Sequence, residues 1–379
     1  MNILIAPDAF KESLTAYQVA TAIRHGFYNA FANAHFTLIP MADGGEGTTD
    51  ALAHSLNGEW VTCTVSDPLG RAVSASYVLA GELAVIEMAA ASGLHLVEKD
   101  KRNPLITSTY GTGELILDAL QKGAKRLIIG IGGSATNDGG AGMLSALGFK
   151  FLDKDGQVLG QGGAELVNLA IIDTSQASPL LKGVEIQVAC DVNNLLCGAN
   201  GASHIYAPQK GADSEMVLRL DKALAHFASI AVSHGFKDCQ YTAGAGAAGG
   251  LGFGLMSFLN ASLSSGFTLV AGACGLENAI KQADLIITGE GKMDAQTSMG
   301  KVAQGVASLA IKHKKPVIAI CGAIEPDTNW QAMGFLAVFA SIPSLMPTDK
   351  LFANAFDNVK HTAMSVAGAM KVGQSLVSA

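Results

Sequence analysis

Charge is scarce in this 379-residue chain. Asp, Glu, Lys and Arg make up 15% of it against 49% hydrophobic residues, which excludes disorder and calls for well-buried α/β cores. Basic residues are scarcer still. The 25 Lys and Arg face 32 Asp and Glu for a net charge of −7, so no basic face is left for nucleic acid. The six cysteines, at 63, 190, 197, 239, 274 and 321, form no C-x-x-C pair and no zinc spacing, and read as reduced core residues of a cytoplasmic protein. The start, Met1-Asn-Ile-Leu-Ile-Ala-Pro-Asp8, lacks the basic n-region of a signal peptide. Residues 241–276 carry no charge at all, but nine glycines together with Ser257, Asn260, Ser262, Ser264 and Ser265 make a poor bilayer span. A buried loop and core helix is expected there, and no membrane partner.

What the chain has in excess is glycine, 44 residues against the usual ~7%. The richest cluster is Gly130-Ile-Gly-Gly-Ser-Ala-Thr-Asn-Asp-Gly-Gly-Ala-Gly142, with six glycines in thirteen residues. An apolar run at 126–131 reads as the strand before it, and 141–147 as a short helix after it. Strand, glycine loop and helix is how α/β proteins offer backbone N–H groups to a phosphate. On this reading Gly132, Gly133, Gly139 and Gly140 shape the cradle, and Ser134, Thr136 and Asn137 add donors. Asp138 adds a carboxylate that could hold a metal. No Gly-Lys-Ser/Thr closes the loop, so it is not a P-loop. A loop built only for tight turning is the plainer alternative.

Along the chain, strand and helix patterns alternate at both ends. A strand at 2–6 leads into Pro7-Asp-Ala-Phe-Lys-Glu-Ser-Leu14, and Thr15-Ala-Tyr-Gln18 is a capping box for a helix carrying Val19, Ile23, Phe27 and Phe31. A strand at 35–41 precedes Ala42-Asp-Gly-Gly-Glu-Gly-Thr48 and a helix that stops at Leu56, with Gly58 as its C′ residue. Period-2 segments at 61–65 and 73–79 flank the turn Asp67-Pro-Leu-Gly70. The strand at 84–88 contains Glu87, which needs a partner. A strand at 184–189 ends in Cys190-Asp-Val-Asn-Asn194, and a long amphipathic helix runs over 214–234. The rhythm of the N-terminus returns with strands at 284–288, 316–321 and 335–340, a helix at 300–313, and a last helix showing Phe352, Val359, Ala363, Val366 and Met370 on one face. The expected organisation is a discontinuous α/β domain from 1–66 and 283–379, interrupted by an inserted domain at 67–282.

The loops after these strands share glycines, one or two carboxylates and often a lysine. Were they to converge, one cleft would hold Lys11, Asp43, Glu46, Asp138, Asp191, Lys210, Glu290, Asp294 and Lys301. Carboxylates suit Mg²⁺, while lysines and N–H groups neutralise phosphate. Asp8 and Asp67 read as caps as readily as chemistry. Two other patterns point elsewhere. Gly244-Ala-Gly-Ala-Ala-Gly249 matches a dinucleotide fingerprint, but the next acid is Glu277 rather than one about 20 residues on. Ser298-Met-Gly-Lys301 matches the S-x-x-K of serine acyl-enzymes, without S-D-N or K-T-G.

The chain resembles the bacterial glycerate kinase family. The likeness is carried by Pro7-Asp-Ala-Phe-Lys-Glu-Ser-Leu-Thr15, Ala42-Asp-Gly-Gly-Glu-Gly-Thr48, Gly132-Gly-Ser-Ala-Thr-Asn-Asp-Gly-Gly140, Cys190-Asp-Val-Asn193, Ala207-Pro-Gln-Lys-Gly211 and Thr288-Gly-Glu-Gly-Lys-Met-Asp-Ala-Gln-Thr297. It spans roughly residues 2–370. The resemblance implies two α/β domains, one flavodoxin/Rossmann-like and one restriction-endonuclease-like with a mixed sheet, and a site between them. It implies ATP- and Mg²⁺-dependent phosphorylation of D-glycerate to 2-phosphoglycerate. Formation of 3-phosphoglycerate, or binding of nucleotide or metabolite without turnover, are the alternatives.

Glycerate carries a carboxylate beside its hydroxyls, so its site needs a cation and a base. Lys11 is the expected cation and Asp191 the expected base, with Asp43 and Glu46 as alternatives for the base or a metal ligand. Glu290 and Asp294 are spaced to share one metal, Asp138 is a third metal candidate, and Lys210 and Lys301 are left for phosphate.

Overall fold

The computed structural model describes residues 1–45, 47–294, 297, 301–344 and 347–377. Glu46 and Ser298, both singled out above, lie outside the described residues. In chain order the strands of the two larger sheets are β1 (Asn2–Ile5), β2 (His35–Leu38), β3 (Glu59–Ser66), β4 (Ala72–Ala80), β5 (Leu83–Glu87), β6 (Arg126–Gly130), β7 (Glu185–Ala189), β8 (Ser262–Ser264), β9 (Leu285–Thr288), β10 (Val317–Cys321) and β11 (Ala337–Ala340). They belong to two α/β units. The first comprises Met1–Asp43, Asp50–Asn57 and Phe267–Ala379, the second Gly44–Thr49 and Gly58–Gly266.

In the first unit five parallel strands run in the order β11-β10-β9-β1-β2. Counted within the unit this is 2-1-3-4-5, the doubly wound order of flavodoxin-like sheets. The central strands are mostly apolar because helices cover both faces: Ile3, Leu4 and Ile5 are buried, as is all of β10. The capping box forms as expected, with Thr15 and Gln18 each accepting from the other's backbone N–H. The helix it opens, Ala16–Tyr28, buries Val19, Ile23 and Phe27. It approaches the helix Ala355–Val377 so closely at Gly26 that a Cβ there would lie 2.5 Å from both the Ala363 Cβ and the Lys360 carbonyl. Phe352 does not join the face of that last helix. It sits on a separate short helix, Thr348–Ala353, and is exposed.

The second unit holds a six-stranded mixed sheet in the order β8-β7-β6-β5-β4-β3. It is antiparallel across β3, β4 and β5 and parallel from β5 through β8. An aromatic cluster fills its core, where Phe258 meets Phe149, Phe151, Phe227, Phe236 and Phe253. The uncharged stretch supplies the buried helix Ala247–Leu259 of this core. Among the described residues no helix is long and apolar enough to cross a membrane.

The units divide at other points than the sequence suggested. β3 pairs with β4 from Glu59↔Leu79 to Ser66↔Ala72, which keeps residues 59–66 in the second unit. The short strand β8, too polar to be recognised in the sequence, pairs with β7 and holds the chain there as far as Gly266. The helix Thr48–Leu56 also ends differently: Asn57, not Gly58, takes the left-handed conformation, with φ +49°.

The close approach at Gly26 yields a direct test. Gly26→Val should lower the urea midpoint, with a loss of about 1–3 kcal/mol from overpacking two helices already in contact.

Candidate active site

Open parallel sheets bind ligands beyond the carboxyl ends of their strands, where the strand order reverses. Here that point lies between β1 and β9. The loops leaving these two strands are laced together: the Asp8 N–H donates to the Gly289 carbonyl at 2.8 Å, and Thr288 Oγ1 donates to the Ala6 carbonyl at 2.7 Å. Only glycine fits at 289, because a Cβ would stand 1.9 Å from the Ile320 carbonyl. From the next strand, the Gly322 N–H donates to the Glu290 carbonyl at 3.0 Å. After β1 the chain closes a tight turn, with Phe10 and Leu14 exchanging N–H···O bonds of 2.9 Å and Glu12 at φ +64°.

These loops surround a cavity of about 390 Å³, within the range of small-molecule sites. Lys11, Asp43, Glu290, Asp294 and Lys301, all expected at the site, line it together, and Asp8 joins them. These charged groups come from the segments that follow β1, β2 and β9. At the β11 end of the sheet the lining turns apolar, with Ile342, Leu351 and Phe352.

The acids are crowded and short of water. Glu290 is 6% exposed and accepts from Thr297 Oγ1 at 2.8 Å. Burial pushes its carboxyl up to about 7, with Asp294 adding to the rise and Thr297 and Lys301 opposing it. Asp8 also rises to about 7, first through burial and then through Asp43 and Glu290. The Ala9 N–H on its Oδ1, at 2.7 Å, and Lys11 pull the other way. Like charges in low dielectric cannot all ionise without cost, and a divalent cation would remove that cost. Among the described residues no three His, Cys, Asp or Glu side chains form a metal cage. The donor set fits Mg²⁺, which is usually held by one or two carboxylates with phosphate oxygens and water completing its shell.

In the second unit the glycine loop after β6 is held mostly by itself. Asp138 is fully buried. Its Oδ2 accepts from Thr109 N and Oγ1, both at 2.8 Å, and from Gly142 N at 3.2 Å, while Oδ1 accepts from Gly140 N at 3.2 Å. Burial raises its pKa against these bonds. The expectation of Asp138 as a metal ligand is therefore corrected: its carboxylate fastens the loop to Thr109. Lys210 is 1% exposed, and its Nζ donates to Ser134 Oγ and to the Thr136 carbonyl, both at 2.7 Å. Burial lowers this ammonium to about 7, with Asp138 opposing. Asn137 Nδ2 donates to Ser203 Oγ at 3.0 Å.

Ser134, Thr136 and Asn137 are all buried, so Gly132 and Gly133 are what the front of the loop exposes. Gly133, Gly139 and Gly140 each have positive φ. The fingerprint-like 244–249 segment packs against this loop. Gly139 N–H donates to the Gly249 carbonyl at 3.0 Å, and a Cβ on Gly249 would lie 2.0 Å from the Thr136 carbonyl. Asp191 is exposed beyond the end of β7 and accepts from Gly266 N at 3.2 Å. Glu87 finds the partner it needed in the Thr49 N–H, at 2.8 Å.

The sequence reading undervalued Asp8, whose signal was an acid directly after the buried run 3–7 that begins in β1. It missed the apolar lining entirely, because three hydrophobic residues in a loop and a short helix carry no chemical pattern.

The chain matches the glycerate kinase family profile over residues 3–371. It belongs to the glycerate kinase family. Among its relatives are the glycerate kinase of Haemophilus influenzae, 50% identical over 97% of this chain and 98% of that one, and the glycerate 2-kinase of Escherichia coli, 48% identical over 98% and 99%. A crystal structure of a Salmonella typhimurium LT2 protein, 47% identical, superposes with a TM-score of 0.92 over 99% of both chains. The motifs from which the family resemblance was read thus include both the laced loops of the first unit and the self-bonded glycine loop of the second.

The crowded acids make a stability prediction with a definite sign. Asp8 rises from 3.8 to about 7 on folding, so between those values the unfolded chain has released a proton that the native state keeps. Its contribution to stability falls across that window, and the full penalty applies above it. Asp8→Asn should therefore raise the melting temperature of the metal-free protein at about pH 8, by about 2–4 °C per kcal/mol recovered. It should give no gain at about pH 3, below both values. Scanning calorimetry at the two pH values checks this.

Proposed function

We propose that the protein is an ATP-dependent glycerate kinase of the cytoplasm, transferring the γ-phosphoryl group of ATP to D-glycerate to give 2-phosphoglycerate. The observation that carries this reading is the cavity at the switch point of the first unit, where acids suited to Mg²⁺ stand among lysines in a chain of this family. The name of the Escherichia coli relative supports the 2-phosphate as product.

In this reading Glu290 and Asp294 hold Mg²⁺, which when bound neutralises phosphate charge. Lys11 takes the carboxylate of glycerate, and Lys301 pairs with phosphate oxygens. The acceptor hydroxyl attacks the γ-phosphorus, the bond to the bridging oxygen of ADP breaks, and the hydroxyl proton passes to a carboxylate. Asp43 lines the same cavity as the lysines and supports the role of base, for which Asp191 is the alternative. The exposed N–H groups of Gly132 and Gly133 suit phosphate or carboxylate oxygens. Lys210 is assigned to bracing the loop that presents them, through Ser134 and Thr136.

Purified protein with Mg²⁺ should release ADP only when D-glycerate is present, and phosphorus NMR should show 2-phosphoglycerate. Binding of ATP without glycerate-dependent ADP release would instead identify a non-catalytic binding protein. The variant that loses the base, Asp43→Asn or Asp191→Asn, should drop kcat by about 10²–10⁴ while ATP affinity stays near wild type.

A further inference from the structure

The apolar end of the cavity has no role in the reading above. Glycerate is a small polar acid without an apolar face, and polyphosphate with its metal needs only the charged groups. Yet Ile342 and Phe352 are 43% and 40% exposed, and both line the cavity together with Leu351. Large apolar side chains left in water at the wall of a pocket mark a place for an apolar ligand surface. Asn358, whose amide offers both a donor and an acceptor, lines the same cavity.

The two linings come from different strands, the acids and lysines from the segments after β1, β2 and β9 and the apolar groups from beyond β11. A ligand suited to this cavity pairs a metal–phosphate complex, for the acids and lysines, with an apolar group for the other lining. We infer that the apolar lining binds the purine ring of the nucleotide, with the base against Ile342, Leu351 and Phe352 and its polar edge read by Asn358. The polyphosphate then extends toward Lys11, Lys301 and the acids. The inference takes the identity of the ligand from the kinase reading, and takes its location from the chemistry of the cavity. It assigns the base to the first unit rather than to the glycine loop of the second, whose polar side chains are buried.

Calorimetric titration of ADP with Mg²⁺ and no glycerate reads the whole nucleotide site, and titration of inorganic tripolyphosphate reads its anionic part alone. Phe352→Asp should weaken ADP by about tenfold or more, the worth of one aromatic–base stack, and leave tripolyphosphate unchanged. Phe352→Tyr, which keeps the ring, should retain ADP binding and controls for misfolding. In turnover, Phe352→Asp should raise the KM for ATP with little change in the KM for glycerate. Unchanged ADP affinity in Phe352→Asp, with the wild type active as a kinase, would overturn the inference. A rise confined to the KM for glycerate would overturn it too. Wild-type protein that releases no ADP with glycerate, yet binds ADP in a Phe352-dependent way, would remove the kinase reading and leave the base site standing.

Discussion

Repulsion between desolvated carboxylates is the constraint on which the first unit depends. Asp8, Asp43 and Glu290 are brought together because parallel strands deliver all their carboxyl ends to one edge of the sheet, and the order 2-1-3-4-5 opens a gap there. The lacing of Asp8 to Gly289 and of Gly322 to Glu290 then fixes the acids by their backbones. Burial and their mutual proximity raise the pKa values of Asp8 and Glu290, a cost that a cation placed among them would offset. Functional sites commonly hold cost of this kind, supported by the packing around them.

The second unit solves the opposite problem. Its glycine loop is polar too, yet Asp138 accepts from Thr109 and from backbone, Asn137 donates to Ser203, and Lys210 donates to Ser134 and the Thr136 carbonyl. The buried polar network makes the loop rigid and leaves its front as bare backbone. The two units therefore share a motif vocabulary of glycine, acid and lysine while using it differently. In one the charges face a cavity, and in the other they hold a shape.

That difference limits what could be read from sequence. Strands such as 126–130 and 285–288 announce themselves as apolar runs between glycine loops, and the capping box of Thr15 and Gln18 is visible as spacing. The convergence of Lys11, Asp43, Glu290, Asp294 and Lys301 followed from their shared position after strands. The roles of Asp138 and Lys210 did not, because an acid or lysine in a glycine loop looks the same whether it points at a ligand or at Thr109. Ile342 and Phe352 were hidden for the converse reason: an apolar residue is ordinary until the fold leaves it uncovered. The boundary after residue 57 turned on β3 pairing with β4 rather than with the strands before it, a choice that alternation alone does not encode.

The order of strands in the first sheet also governs how the chain is made. β1 lies in the middle of that sheet, and the neighbour on one side is β9, with the Thr288 to Ala6 hydrogen bond joining residues 282 apart in sequence. A ribosome adding about 5–20 residues per second exposes β1 for tens of seconds before β9 exists. Throughout that time β1 has β2 as its only sheet neighbour, and the second unit, complete at Gly266, has all of its residues before β9 is made and can fold first. The inserted unit is thus a long detour that the chain completes before its own beginning can be covered, and closing so large a loop is slow. The sheet around β1 can be completed only after β9 has been made.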